Sequence, residues 1–89
     1  MECAEIYYKA AEKELNTLIQ RLKAELDDEG RNKLQQSQQA WIQFRDFNVE
    51  FWALPYRGDP EEVVAKVNLK TDITRERIRE LESFDAARE

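Results

Sequence analysis

Residues 34–52 read LQQSQQAWIQFRDFNVEFW, and this stretch decides the fold. It contains neither Gly nor Pro, and its apolar residues recur every three or four positions, as one face of an α-helix requires. The predicted inner face consists of Leu34, Ser37, Gln38, Trp41, Phe44, Arg45, Asn48, Phe51 and Trp52. We therefore expect a helix over about residues 29–53, ending before Pro55 because proline lacks an amide proton and disfavours helical geometry in the residue before it.

The same periodicity predicts a helix on each side of this stretch. Residues 2–26 carry one apolar stripe, and residues 60–84 carry an unusually wide one. Either this third helix is sandwiched between the other two, or another molecule covers part of it. A tight turn is expected at 27–30, and residues 85–89 are expected to fray. The prediction is an all-α chain, a single domain over residues 1–89 folded as a three-helix antiparallel bundle.

Composition narrows the class of function. The chain has 89 residues, 19 Asp and Glu against 14 Lys and Arg, and a formal net charge of -5, which disfavours nucleic acid and anionic membranes as partners. No apolar run is long enough to insert into a bilayer. With no His and one Cys, the commonest catalytic and metal-ligand sets are absent. We expect a non-enzymatic protein with no cofactor and no metal, whose partner is another protein, preferably a cationic one.

The first residues do not decide the compartment of the protein. Glu2 and Glu5 are acidic, whereas a secretory signal begins with basic residues, so no export signal is expected in the sequence itself. If an upstream signal was removed, the protein is periplasmic or secreted, and otherwise it is cytoplasmic. Cys3 is interpreted as an incidental thiol, with an intermolecular disulfide or a lost upstream partner as alternatives.

The segment 55–60 is the one loop with clear turn character, and it supplies the candidate partner-binding residues. Tyr56 and Arg57 belong to types that are enriched at binding hot spots, and they lie between two long helices. Asp59 is a preferred N-cap, followed by Pro60 at the first helical position and Glu62 at the third. The alternative is a plain connector. We interpret the Arg57-Gly58-Asp59 triplet as a chance match to an adhesion motif.

Four residues of the second helix are predicted to be structural: Trp41, Arg45, Asp46 and Trp52. Arg45 falls on the inner face between the two tryptophans, where a charge needs a partner. We expect a carboxylate of the first helix, Glu14 or Glu12, to hold it, while Asp46 points elsewhere. An anion or partner site at Arg45 is the alternative.

Three stretches together resemble the LprI-type lysozyme-inhibitor domain, a small bacterial helical family. They are Glu2-Cys3-Ala4 with 11–16, the block Leu34 to Asp46, and Thr74 to Leu81. The middle block is similar to the family's Leu-x-x-Ala-Gln-x-Ala-Trp-x-x-aromatic-Arg-Asp pattern, with Ser37 in place of Ala. Two cysteines usual in the family are replaced here by Val49 and Leu69, and the Gly-rich loop is reduced to Gly58.

The resemblance implies a binding module of the bacterial cell envelope, with a basic lysozyme as the candidate partner. The resemblance assigns an inhibitory role to no residue of this chain, because the shared pattern describes the helices rather than a binding site. An acidic domain would be steered toward a basic enzyme, which agrees with this interpretation. The alternative is a structural or self-associating helical protein without inhibitory activity, suggested by the wide apolar arc of the third helix.

Overall fold

The first helix, α1 (Glu2–Glu25), begins a three-helix arrangement in a computed structural model that describes residues 2–88. A short turn leads into α2 (Asp28–Trp52), a 3-10 segment covers Leu54–Tyr56, and α3 runs over Glu62–Arg88. No strand occurs within the described residues, so the prediction of an all-α antiparallel bundle is confirmed. The bundle is elongated, with extents of 47 × 22 × 17 Å, and both connections therefore lie at its narrow ends.

The turn between α1 and α2 is closed by side chains. The Asp27 carboxylate accepts a hydrogen bond from the backbone amide of Gly30 at 2.8 Å, as an N-cap does. Arg31 donates to the carbonyl oxygens of Lys23, at 3.3 Å, and Leu26, which the end of α1 leaves free. Gly30 lies inside α2 with ordinary helical geometry, and a Cβ there would come within 3.1 Å of the Leu26 side chain. Gly30 therefore allows close packing rather than a bend.

The third helix occupies the middle of the bundle, since it packs against both α1 and α2 more extensively than they pack against each other. The helix is thus sandwiched, as the first explanation of its wide apolar arc requires, although Val63 and Phe84 on that arc remain 59% and 43% exposed. Thr71 and Thr74 are buried in it and donate to the carbonyl oxygens of Val67 and Lys70, at 3.0 and 2.8 Å. Each hydroxyl is thus satisfied by a carbonyl of the preceding turn of its own helix.

One continuous core runs along the bundle, with Leu22 completely enclosed. Its members come from all three helices: Leu15, Leu18, Ile19, Leu22, Leu34, Trp41, Ile78 and Leu81. Ala4, Ala11, Val49 and Ala53 are also buried. Val49 and Leu69 stand at the two positions where the similar family usually has cysteines. Val49 is buried, and Leu69 is half-buried.

The predicted inner face of α2 is wrong for three of its four aromatic residues. Trp41 is 8% exposed, but Phe44, Phe51 and Trp52 are 55%, 62% and 59% exposed. α2 carries two apolar stripes, and only the one through Leu34, Trp41 and Val49 meets the other helices. Trp52 lies in the last turn of α2, where its ring contacts that of Phe51 edge-on with 5.6 Å between the ring centroids. Because Trp52 is exposed, it is not a core residue.

The ends of α3 also differ from expectation. The helix begins at Glu62 rather than at 60, because residues 59–62 first form a tighter turn in which the Glu62 amide donates to the Asp59 carbonyl at 3.0 Å. It continues to Arg88, although fraying was expected from Asp85 onward. Asp85 accepts from Arg21 of α1 at 2.8 Å, and Arg88 pairs with Glu25. The hydrogen bond from Arg21, followed by that from Arg88, lowers the pKa of Asp85.

Candidate partner-binding surface

The loop between α2 and α3 is held by its own hydrogen bonds. The amides of Tyr56 and Arg57 donate to the carbonyls of Ala53 and Leu54, at 2.9 and 3.0 Å, which makes the 3-10 segment. The Asp59 amide then donates to the Tyr56 carbonyl at 2.9 Å. These bonds leave few free backbone donors, so the loop presents its side chains from a defined backbone.

Two carboxylates and one glycine complete the turn. Gly58 has φ of +78°, a left-handed geometry that glycine adopts at little cost, and its amide donates to Glu62 Oε1 at 3.3 Å. Asp59 Oδ1 accepts from the Glu61 amide at 2.8 Å. Asp59 was predicted as the N-cap of a helix beginning at Pro60, but α3 begins at Glu62, so the Asp59 carboxylate caps the turn that precedes the helix. Its role here is to shape the loop.

Beneath the loop, Lys66 joins α2 to α3. Its ammonium lies 3.1 Å from Glu50 Oε1 and 3.5 Å from Glu62 Oε2. The hydrogen bond to Glu50 is the main cause of a raised pKa for Lys66. Two of the carboxylates around the loop are therefore already paired with a cation of the bundle.

Arg57 is the cation at the tip of this loop. Its side chain is exposed, and within residues 2–88 its guanidinium makes neither a salt bridge nor a hydrogen bond. Tyr56, beside it, is 42% exposed, and Leu54 and Trp52 just before it are 49% and 59% exposed. The loop therefore combines a free guanidinium with solvent-facing aromatic and aliphatic groups. Sequence reasoning found Tyr56 and Arg57 but placed Trp52 in the core and omitted Leu54.

A second cluster surrounds Trp41 on the inner side of α2. The guanidinium groups of Arg45 and Arg77 lie 5.2 and 5.9 Å from the center of its rings. Arg77 also donates to Gln38 Oε1 at 3.1 Å and to Ser37 Oγ at 2.9 Å. The cluster connects α2 to α3 through cation-π contacts and side-chain hydrogen bonds. Its position and contacts agree with a structural role for Trp41 and Arg45.

The predicted partner of Arg45 is wrong. Arg45 Nε donates to Asp46 Oδ1 at 3.0 Å, and Nη1 lies 3.5 Å from the Tyr8 hydroxyl. The arginine side chain is 12% exposed, whereas that of Asp46 is 58% exposed. Arg45 buries its stem along Trp41 and turns its charge toward the protein surface, so it needs no buried carboxylate.

The two carboxylates expected at Arg45 are used elsewhere. Glu12 Oε2 accepts from the Tyr8 hydroxyl at 2.9 Å, and Glu14 Oε2 lies 3.2 Å from Arg75 Nη1. Burial, and secondly the bond to Glu12, raise the pKa of Tyr8 to about 12. Tyr8 thereby links Arg45 of α2 to Glu12 of α1 through its hydroxyl.

The described part of the chain, residues 2–88, offers no cluster of three metal-binding side chains, and none of its helices could span a membrane. The family model described as "Lysozyme inhibitor LprI" matches residues 1–81. No curated protein and no solved structure gives a significant match. Because the family match covers nearly the whole chain, this protein belongs to the LprI lysozyme-inhibitor family.

Proposed function

We propose that this protein is a non-enzymatic inhibitor that binds a basic lysozyme through the loop 54–59. The observation that carries the proposal is the free Arg57 guanidinium at the tip of a hydrogen-bonded loop, flanked by exposed Tyr56. Arginine and tyrosine are overrepresented among residues that dominate binding energies. A loop that is already ordered loses little conformational entropy on binding.

The shape of the bundle supports insertion into a cleft. The loop lies at one narrow end of a rod whose cross-section is 22 × 17 Å. Enzyme active sites are concave, and lysozymes cut a glycosidic bond between two carboxyl groups. A guanidinium binds carboxylates through two parallel hydrogen bonds, and Arg57 has its donors unoccupied. We propose that Arg57 pairs with a carboxylate in the substrate cleft while Tyr56 packs against its wall.

Net charge supports the choice of partner. The formal charge of -5 attracts a cationic enzyme over long distances and raises the rate of encounter. In contrast, the proposed contact is made by the cation Arg57. A mutation that adds negative charge at Arg57 should therefore strengthen the long-range attraction and weaken the contact, so the two effects can be separated. An inhibitor of this kind would meet its target in the periplasm or outside the cell, and we propose that location.

The test is lysis of bacterial cell walls by a panel of lysozymes with and without excess protein. Arg57→Glu makes the chain more acidic by two charge units, which should strengthen long-range attraction to a basic enzyme. We nevertheless expect inhibition to weaken at least tenfold, because the local contact with a carboxylate becomes repulsive. Tyr56→Ala should weaken inhibition by a similar factor.

The matched control is Arg79→Glu, which makes the same change in charge. Arg79 is 63% exposed on α3, and within residues 2–88 its one ion pair is with Glu76 on its own helix. This variant should inhibit as well as the parent or slightly better. If no lysozyme is slowed, the proposed function is wrong. If both arginine variants behave alike, the loop is not the contact.

A further inference from the structure

The outer side of α2 carries a second apolar stripe that no other part of the described chain covers. Its exposed residues follow one another at spacings of four, three, four and three: Ala40, Phe44, Phe47, Phe51 and Leu54. Phe47 is 76% exposed and Phe51 is 62% exposed. We name these five residues the outer seam. Alternating steps of three and four are the pattern by which one helix packs along another.

The seam faces away from the bundle. Phe47 lies two positions after the half-buried Arg45 and two positions before the buried Val49. Two residues correspond to about 200° of rotation around the helix axis, so Phe47 points away from both. Its side chain therefore lies opposite the surface that meets α1 and α3. The seam has no charged member. Gln43 and Asn48 flank it, as does Glu50, which lies between Phe47 and Leu54 and pairs with Lys66. The seam is about four turns long and ends at Leu54, in the 3-10 segment just beyond α2.

We propose that the outer seam binds the outer seam of a second copy of this chain, with the two α2 helices antiparallel and Phe47 at the two-fold axis. A symmetric interface must be complementary to itself. About this axis the small Ala40 lies opposite the larger Leu54, and Phe44 lies within about one residue of the position opposite Phe51. The seam thus brings its phenylalanines together near the axis and matches a small side chain to a large one at each end.

The exposed area suits such a dimer. Fully buried aromatic side chains remove about 150–250 Å² each from water, so the three seam phenylalanines offer roughly 400 Å² per copy at their exposures of 55–76%. Leu54, Ala40 and the stems of flanking residues bring this toward the ~600 Å² per partner of a small, transient interface. On a monomer, a contiguous apolar patch of this size often marks an interaction site.

Charge favours the antiparallel arrangement. A parallel pair would bring the two loops together, with Asp59, Glu61 and Glu62 of each copy side by side. The antiparallel pair separates these loops and places each beside the first turns of the other α2, where Arg31 and Lys33 accompany Asp28 and Glu29. Lys33 is 76% exposed, and its ammonium lies 3.7 Å from Glu29. The acidic surroundings also disfavour an anionic membrane as the occupant.

Sedimentation at micromolar to millimolar concentrations tests the proposal on the full chain. We expect the mass to double from 10.6 kDa, and Phe47→Glu, which places two carboxylates at the axis, to weaken association at least tenfold. Ile6→Glu is the control, since Ile6 is 63% exposed on α1 and lies outside the seam. A parent that stays monomeric, or a dimer that Phe47→Glu leaves intact, overturns the proposal. So does a monomer that binds neutral phosphatidylcholine vesicles through Phe47.

Disulfide trapping distinguishes the direction of the helices. In a Cys3→Ser background, Phe47→Cys should crosslink to itself, whereas Phe44→Cys and Phe51→Cys should crosslink efficiently only when mixed. Self-crosslinking of all three variants would indicate a parallel pair and contradict the arrangement proposed here. The seam and the loop 54–59 share only Leu54, so a Phe47→Glu monomer that still inhibits lysozyme leaves the proposed function standing.

Discussion

Replacing Arg45 with Met tests how the cluster around Trp41 stabilises the bundle. Arg45 contributes a cation-π contact at 5.2 Å and a hydrogen bond to Asp46 at 3.0 Å. A partly desolvated cation-π contact is worth about 1–2 kcal/mol. Ion pairs with an exposed member are worth about 0.2–1 kcal/mol, and Asp46 is 58% exposed. Methionine preserves much of the apolar stem, so we expect a loss of about 1–2 kcal/mol in the free energy of unfolding.

Urea unfolding followed by helical circular dichroism measures this loss, with Asp46→Asn as the matched variant. Asp46→Asn removes only the ion pair and should cost less than about 1 kcal/mol. A loss of about 3–5 kcal/mol for Arg45→Met would instead indicate that a buried carboxylate depends on Arg45. Equal losses for the two variants would refute the claim that the contact with Trp41 is the larger part of what Arg45 contributes to the free energy of unfolding.

Three further predictions concern packing, backbone geometry and titration. Leu22→Ala should lower the free energy of unfolding by about 3–4 kcal/mol, because Leu22 is fully enclosed, whereas the exposed Ile6→Ala should change it by less than about 0.5 kcal/mol in the same urea experiment. Gly58→Ala should cost about 1 kcal/mol in thermal unfolding, because φ of +78° is strained for alanine although nothing lies within 4 Å of its Cβ; an unchanged Tm would contradict this. One tyrosine should ionise near pH 12 in an ultraviolet titration, a step that Tyr8→Phe removes. Because the folded pKa of Tyr8 is the higher one, its contribution to stability is complete below about pH 10 and is lost as the pH rises through 12; if the step that Tyr8→Phe removes lay near pH 10, it would contradict the partly buried hydroxyl.

The helices could be predicted from the sequence because their apolar spacing and their end signals agree. Asp27 caps α2 as its residue type suggests, and Pro55 follows the end of that helix. The core positions of α1, such as Leu15 and Leu22, lie on the predicted stripe. The LprI resemblance, carried by the block around Trp41, agrees with the family match over residues 1–81.

What the sequence could not decide is which apolar stripe of α2 faces inward. Phe44 and Phe51 have the same spacing as core residues, and only the packing of α3 against Val49 and Trp41 places them outside. The partner of Arg45 was missed for a related reason. A guanidinium on a buried face can follow its stem to the surface and bond the adjacent Asp46, which spacing along the helix does not reveal.

The most direct test of the account is a titration of the isotope-labelled protein with a lysozyme that it inhibits, followed residue by residue in amide NMR spectra. We predict that the largest shifts cluster over residues 54–60, at the end of the rod that carries Tyr56 and Arg57, and that Arg57→Glu removes them. Shifts confined to the opposite end of the bundle, around Asp28 and Phe84, would contradict the proposed binding loop.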